Sequence, residues 1–128
     1  MALTSKYDLN IVQKLIRRGV ADSIWFSAPS RSLYEVVRVY SNSDAPKSLV
    51  EAADFICAGL LQLKPDHFVK RVLQWEVVAD VYGLIFDGRP WYVKFVLNDG
   101  VLEEISFHPP EKTLKTVAGL QIPAETKK

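Results

Sequence analysis

The chain is short of several things, and each shortage excludes a class of protein. It carries one cysteine, Cys57, in 128 residues, so an intramolecular disulfide and a cysteine-built zinc site are excluded. Its longest apolar stretch, Ala52 to Leu61, is broken by Asp54 and falls far short of the ~20 residues that span a bilayer. The opening Met-Ala-Leu-Thr-Ser-Lys has no apolar run behind its one basic residue, so no secretory leader is expected and the setting reads as cytoplasmic. An excess of charge is missing too. Sixteen Lys and Arg against 15 Asp and Glu leave +1, too little for strong nonspecific binding to nucleic acid. No glycine-rich phosphate loop, nucleophile elbow or metal-ligand spacing occurs, and neither a cofactor nor a metal is expected.

What is present is enough for a core. Hydrophobic residues make up 48% and charged residues 24%, the balance of an ordinary globular domain, and the length fits one domain. Leu9, Val12, Leu15 and Ile16 share one face of a helix from about Tyr7 to Arg18, with Gly19 as its stop. Ser23 to Ala28 reads as a short extended segment. Ser32-Leu-Tyr-Glu35 and Ser48-Leu-Val-Glu51 are capping-box patterns that predict two further helices. In the second, Leu49, Ala53, Ile56, Leu60 and Leu63 form a continuous stripe. Lys64-Pro65-Asp66 ends that helix, and Asp66 to Val72 reads as a short further turn.

From Trp75 the texture turns to strand. Val77 to Phe86, Trp91 to Leu97 and Val101 to His108 are joined by Asp87-Gly88 and Asn98-Asp99-Gly100. The expectation is an α+β domain over residues 1–110, with N-terminal helices on one face of a three- to four-stranded antiparallel meander. Residues 111–128 read as a polar, partly ordered tail.

Alternation assigns the faces. Trp91, Val93, Phe95, Ile105 and Phe107 fall on the core side. Tyr92, Lys94, Glu104, Ser106 and His108 fall on the other, together with Ala79 and Val81. A three-residue Asn98-Asp99-Gly100 loop sets Lys94 opposite Glu104 and Tyr92 opposite Ser106, and a one-residue slip inverts the assignment. These side chains can move protons and hold phosphate oxygens. The plain alternative is a cross-strand ion pair on a solvated sheet, with His108 as a strand-end cap. Asp80 falls on the core side and reads as an acceptor of backbone hydrogen bonds. Cys57 reads as a small buried hydrophobe, and His67 as an exposed residue without a role.

Phe68-Val-Lys70, Trp75 with Ala79-Asp80-Val81-Tyr82, Trp91-Tyr92-Val93-Lys94 and Ser106-Phe107-His108-Pro109 together resemble the MqsR family of bacterial toxins. In that family a Phe-Tyr-Lys stretch precedes Trp-Gln-Asp-Val-Tyr, and a Tyr-x-Lys strand and a closing Ser-Phe-Lys or Ser-Phe-His strand follow. Tyr7-Asp-Leu and Leu15-Ile-Arg-Arg-Gly19 resemble its opening helix. The resemblance spans roughly residues 7 to 110.

It implies a RelE-like fold, an endoribonuclease that cleaves mRNA without a metal, and a cognate antitoxin protein that holds it inactive. Lys70 matches the family's catalytic lysine and Tyr92 its strand tyrosine, and His108 falls where the last strand supplies a lysine or histidine. Val69 and Ala79 depart from it, standing where the family has a tyrosine and a glutamine.

For a nuclease, Lys70 and Lys94 would meet the phosphate charge while His108 or Tyr92 exchanges protons. Arg71, Arg89, Lys112 and Lys115 are candidate RNA contacts, with Trp75 as a stacking platform. The two departures and the near-neutral charge favour the competing reading, a non-catalytic module that binds a protein partner with the same surface.

Overall fold

The structure is a computed structural model that describes residues 4–18, 24–26, 31–74 and 76–125. Among the described residues three helices precede the antiparallel strands: α1 (Leu9–Arg18), α2 (Arg31–Tyr40) and α3 (Leu49–Leu61). The strand β1 (Ile24–Phe26) lies between α1 and α2. After a 3-10 turn (Pro65–His67) come β2 (Phe68–Gln74), β3 (Val77–Phe86), β4 (Arg89–Asn98) and β5 (Val101–His108). A small hairpin of β6 (Leu114–Lys115) and β7 (Gln121–Ile122) closes the described chain. The main sheet has five strands in the order β1-β5-β4-β3-β2. Strands β2 to β5 form an antiparallel meander, and β1 pairs parallel to β5.

The helices begin where local chemistry allows. Asp8 opens α1 by accepting from Asn10 N–H at 2.9 Å. The Ser48–Glu51 capping box is complete: Ser48 Oγ accepts from Glu51 N–H at 3.2 Å, and Glu51 Oε1 accepts from Ser48 N–H at 3.1 Å. The Ser32 box does not form, because Ser32 already lies inside α2. Its buried hydroxyl instead donates to Ile105 O at 2.7 Å and accepts from Phe107 N–H at 3.1 Å. It thus satisfies the edge of β5 beyond the point where the three-residue β1 stops. The predicted stop of α1 at Gly19 lies outside the described residues.

All three helices cover one face of the sheet. Val12, Val36, Ile56 and Leu60 pack into one core with Trp91, Val93, Phe95 and Phe107, all fully buried. The stripe of α3 is rotated from the predicted one: Leu49 is exposed, and Ala52 takes the buried place assigned to Ala53. Gly59 lets this helix sit close to the sheet, since a Cβ there would stand 2.9 Å from the Phe107 ring. Phe55 fills the junction, with ring centroids 4.9 Å from Phe86 and 5.5 Å from Trp91. Cys57 is buried, which pushes its thiol pKa up, and it behaves as the expected small hydrophobe.

Two expectations about the chain's course change. The segment read as a turn, Asp66 to Val72, is mostly β2, which extends the sheet to five strands. Val69, Val72 and Leu73 carry the β-branched and apolar signal, and Pro65 ends the preceding helix early enough to free it. Residues 111–125, read as a polar tail, turn back over the sheet. Ile122 and Thr116 are buried there, and Val117 N–H donates to Phe68 O at 2.8 Å.

Candidate functional site

The site begins with register. The β4–β5 turn has two residues, Asp99 and Gly100, both at positive φ, so Asn98 pairs with Val101. Asp-Gly is the dipeptide that such a turn selects. That turn shifts the predicted pairing by one, which taken alone would send His108 to the core face. A bulge cancels the slip: Glu104 and Ile105 together stand opposite Phe95. Beyond it Lys94 faces Ser106 and Tyr92 faces His108, whereas the predicted partners were Glu104 and Ser106. The face assignment therefore holds for Tyr92, Lys94, Ser106 and His108 although its pairs do not, and the Glu104 side chain lies outside what the structure describes. The β3–β4 turn at Asp87-Gly88 behaves as expected, with Val81 opposite Lys94 and Gly83 opposite Tyr92.

Two rows cross this second face. Lys70, Val81, Lys94 and Ser106 lie side by side on β2, β3, β4 and β5. Strands are spaced about 4.8 Å apart, so the backbones carrying Lys70 and Lys94 are roughly 10 Å apart, within reach of two long side chains. The neighbouring row is Gly83, Tyr92 and His108. Tyr92 and His108 stack with centroids 4.8 Å apart and planes 16° from parallel. His108 Nδ1 lies 2.8 Å from Pro109 O. A carbonyl oxygen only accepts, so Nδ1 carries the proton and, in the neutral ring, Nε2 keeps its lone pair. Burial holds the Tyr92 phenol above its ordinary pKa, so it keeps its proton at neutral pH.

The face is less open than its polarity predicts. Ala79 and Val81 have no exposed surface, and Tyr92, Lys94 and His108 are half-buried. The C-terminal hairpin is one cover: a Cβ on Gly83 would stand 2.8 Å from Ile122 and 3.2 Å from Leu114. Ala79, where the resemblance expects a glutamine, is enclosed. Beyond the hairpin, His108 borders a cleft of about 460 Å³ with Glu35, Arg38, Glu111 and Glu125. Arg38 is fixed between Glu35 at 2.7 Å and Glu125 at 3.2 Å. Sequence reading missed these groups, because residues so far apart in the chain meet only through the returning tail.

The other candidates separate. Arg71 pairs with Asp80 and so points to the opposite face from Lys70, where its guanidinium donates to Thr4 O at 2.8 Å and Ser5 O at 3.3 Å. Arg89, at the β3–β4 turn, lies over the Tyr40 ring at 5.1 Å, away from the Lys94 row. Lys112 and Lys115 are exposed on the returning segment, and Trp75 lies outside the described residues. Asp80 is fully buried and accepts from Lys6 N–H and Tyr7 N–H at 2.9 Å each, the structural role expected of it. His67 is not a bystander: its Nδ1 accepts from Lys64 N–H at 3.0 Å and closes the 3-10 turn.

The described residues thus define an α+β domain whose helices back one sheet face and whose other face carries Lys70, Tyr92, Lys94 and His108. Among the described residues, no three His, Cys, Asp or Glu stand together as metal ligands, and no helix is long and apolar enough to cross a membrane. No protein-family model and no curated protein matches the sequence.

Proposed function

We infer that the chain is an mRNA-cleaving endoribonuclease of the metal-independent kind, the toxin half of a pair with an antitoxin protein, as its resemblance to the MqsR family implies. The observation that carries this reading is the His108 ring, stacked on Tyr92 with Nδ1 tied to Pro109 O and Nε2 left as a base. In this mechanism Nε2 takes the proton of a ribose 2′-hydroxyl, and the 2′-oxygen attacks the adjacent phosphorus. Lys70 and Lys94 meet the charge of the phosphorane. The Tyr92 phenol gives its proton to the departing 5′-oxygen, which leaves a 2′,3′-cyclic phosphate and a 5′-hydroxyl.

The test uses the purified chain and a single-stranded RNA. His108→Ala should slow cleavage about 10²–10⁴-fold with the melting temperature almost unchanged, and a 2′-deoxy substitution at the cleaved nucleotide should stop it. Full activity of His108→Ala, or cleavage of the 2′-deoxy site, sinks the mechanism. A second reading, a protein-binding module without catalysis, is favoured by the hairpin packed on Gly83 and by the enclosed Ala79. An intact RNA pool and normal growth on high expression in a bacterium would select it.

A further inference from the structure

We propose that the outer edge of β2 is a docking site for an extended, acidic segment of a protein partner, which adds to the sheet as a sixth strand. β2 is the last strand in the order β1-β5-β4-β3-β2, so one side of its backbone faces away from β3. Among the described residues, Val117 N–H donates to Phe68 O at the strand's first residue. That bond comes from the turn between β6 and β7 and leaves Lys70 to Gln74 beyond it. From Lys70 to Gln74 the ladder to β3 is regular, after a shift confined to Phe68 and Lys70. Leu73 is 74% exposed on one face, and Val77, the partner of Gln74 on β3, is 44% exposed on the other. Apolar side chains at the end of an unpaired strand are an aggregation hazard unless something covers them.

Charge selects the occupant. Lys70 and Arg71 sit in the middle of the edge and point to opposite faces, so an added strand meets positive charge on each side, although the Arg71 guanidinium already donates to Thr4 O and Ser5 O. In a second copy paired antiparallel through β2 about Arg71, like charges would face each other across the strand pair, which is destabilising. An incoming segment with Glu or Asp on both faces removes that repulsion, and main-chain bonds supply affinity without a preformed pocket. This rests on the proposed function in one respect: Lys70 is also a phosphate-binding candidate there, so the docked segment would silence the nuclease by neutralising it.

The probe is a short synthetic peptide alternating glutamate and valine, blocked at both ends, titrated into the isotope-labelled full chain. Amide shifts and slowed exchange should concentrate on Lys70 to Gln74. Affinity should fall at least about tenfold as salt rises and screens the pairs, and by a similar factor when lysine replaces glutamate in the peptide. N-methylation of alternate peptide amides should abolish binding, because it removes the ladder donors and keeps the charge. In the Lys70→Glu/Arg71→Glu variant the preference between the two peptides should reverse. Equal binding of the N-methylated peptide overturns the proposal, as does absence of shifts on β2. Self-association that Leu73→Asp removes would assign the edge to a second copy, and β2 shifts produced by RNA and not by the peptide would assign it to nucleic acid. Binding is read without any cleavage, so an inactive chain that still takes the peptide refutes the nuclease and not the docking site.

Discussion

On one face of the sheet Trp91, Val93, Phe95 and Phe107 are fully buried under three helices, and their neighbours are apolar almost without exception. On the other face enclosed Ala79 and Val81 alternate with half-buried Tyr92, Lys94 and His108, and the strand at its edge carries an exposed Lys70. The first face is held by apolar area, which is insensitive to the orientation of any one group. The second is covered by the returning hairpin, through Ile122 packed over Gly83 and the Val117 N–H on Phe68 O. The main core and the residues proposed for chemistry therefore lie on opposite sides of the same strands. A substitution on one side should leave the property of the other intact.

The largest stability loss belongs to the helical side. Leu60 has no exposed surface and sits in the core beside the Trp91–Phe107 layer. Leu60→Ala removes buried methyl groups and leaves a cavity, so it should cost about 2–5 kcal/mol in denaturant melts. Any RNA cleavage per folded molecule should stay near that of the parent. A loss below about 1 kcal/mol would show that α3 does not anchor the core.

Gly83→Ala attacks the other side. The new Cβ would lie 2.8 Å from Ile122 Cγ1, closer than packed carbons come, so either Ile122 shifts or the hairpin lifts. Overpacking of this kind costs about 1–3 kcal/mol. Here the cost should appear as faster amide exchange in residues 114–122, with the helices unaffected. Protection lost from α3 at the same rate as from the hairpin would break the comparison, because the two faces would then unfold as one unit.

The two faces also differ in how far the sequence alone reveals them. The core side needs only alternation, and every large residue assigned to it from Trp91 to Phe107 is buried there. The site side depended on a register that two errors happened to rescue. Asp99-Gly100 makes a two-residue turn, and the extra residue at Glu104-Ile105 restores parity. A bulge of this kind has no signature in residue type, because it is set by how β5 must twist to meet α2 and β1. Ser32 shows the same limit: its spacing to Glu35 is that of a capping box, yet its hydroxyl serves β5. The returning hairpin was hidden for a further reason. Its two-residue strands carry almost no periodicity, and burial of Ile122 depends on the single gap left by Gly83. By contrast Asp80 was legible, since a carboxylate placed on an apolar face must find donors.

The smallest effect should come from His67, at the joint where the helical layer hands over to the sheet. Its Nδ1 accepts the Lys64 N–H, an arrangement only the neutral ring allows. Burial first, and then nearby Lys64, lower its pKa below the ordinary value. The folded chain therefore binds this proton less readily than the unfolded chain does. Linkage fixes the sign: the contribution of the contact is fully present above the unfolded pKa of about 6.5 and fades as pH falls through the folded value. His67→Ala should cost less than about 1 kcal/mol at pH 8, since the turn is partly open to water. The gap between variant and parent should close on acidification. A gap that widens below pH 6 would mean that the protonated ring is the one the turn holds, with a carboxylate such as Asp66 as its partner. The hydrogen bond to Lys64 would then be incidental.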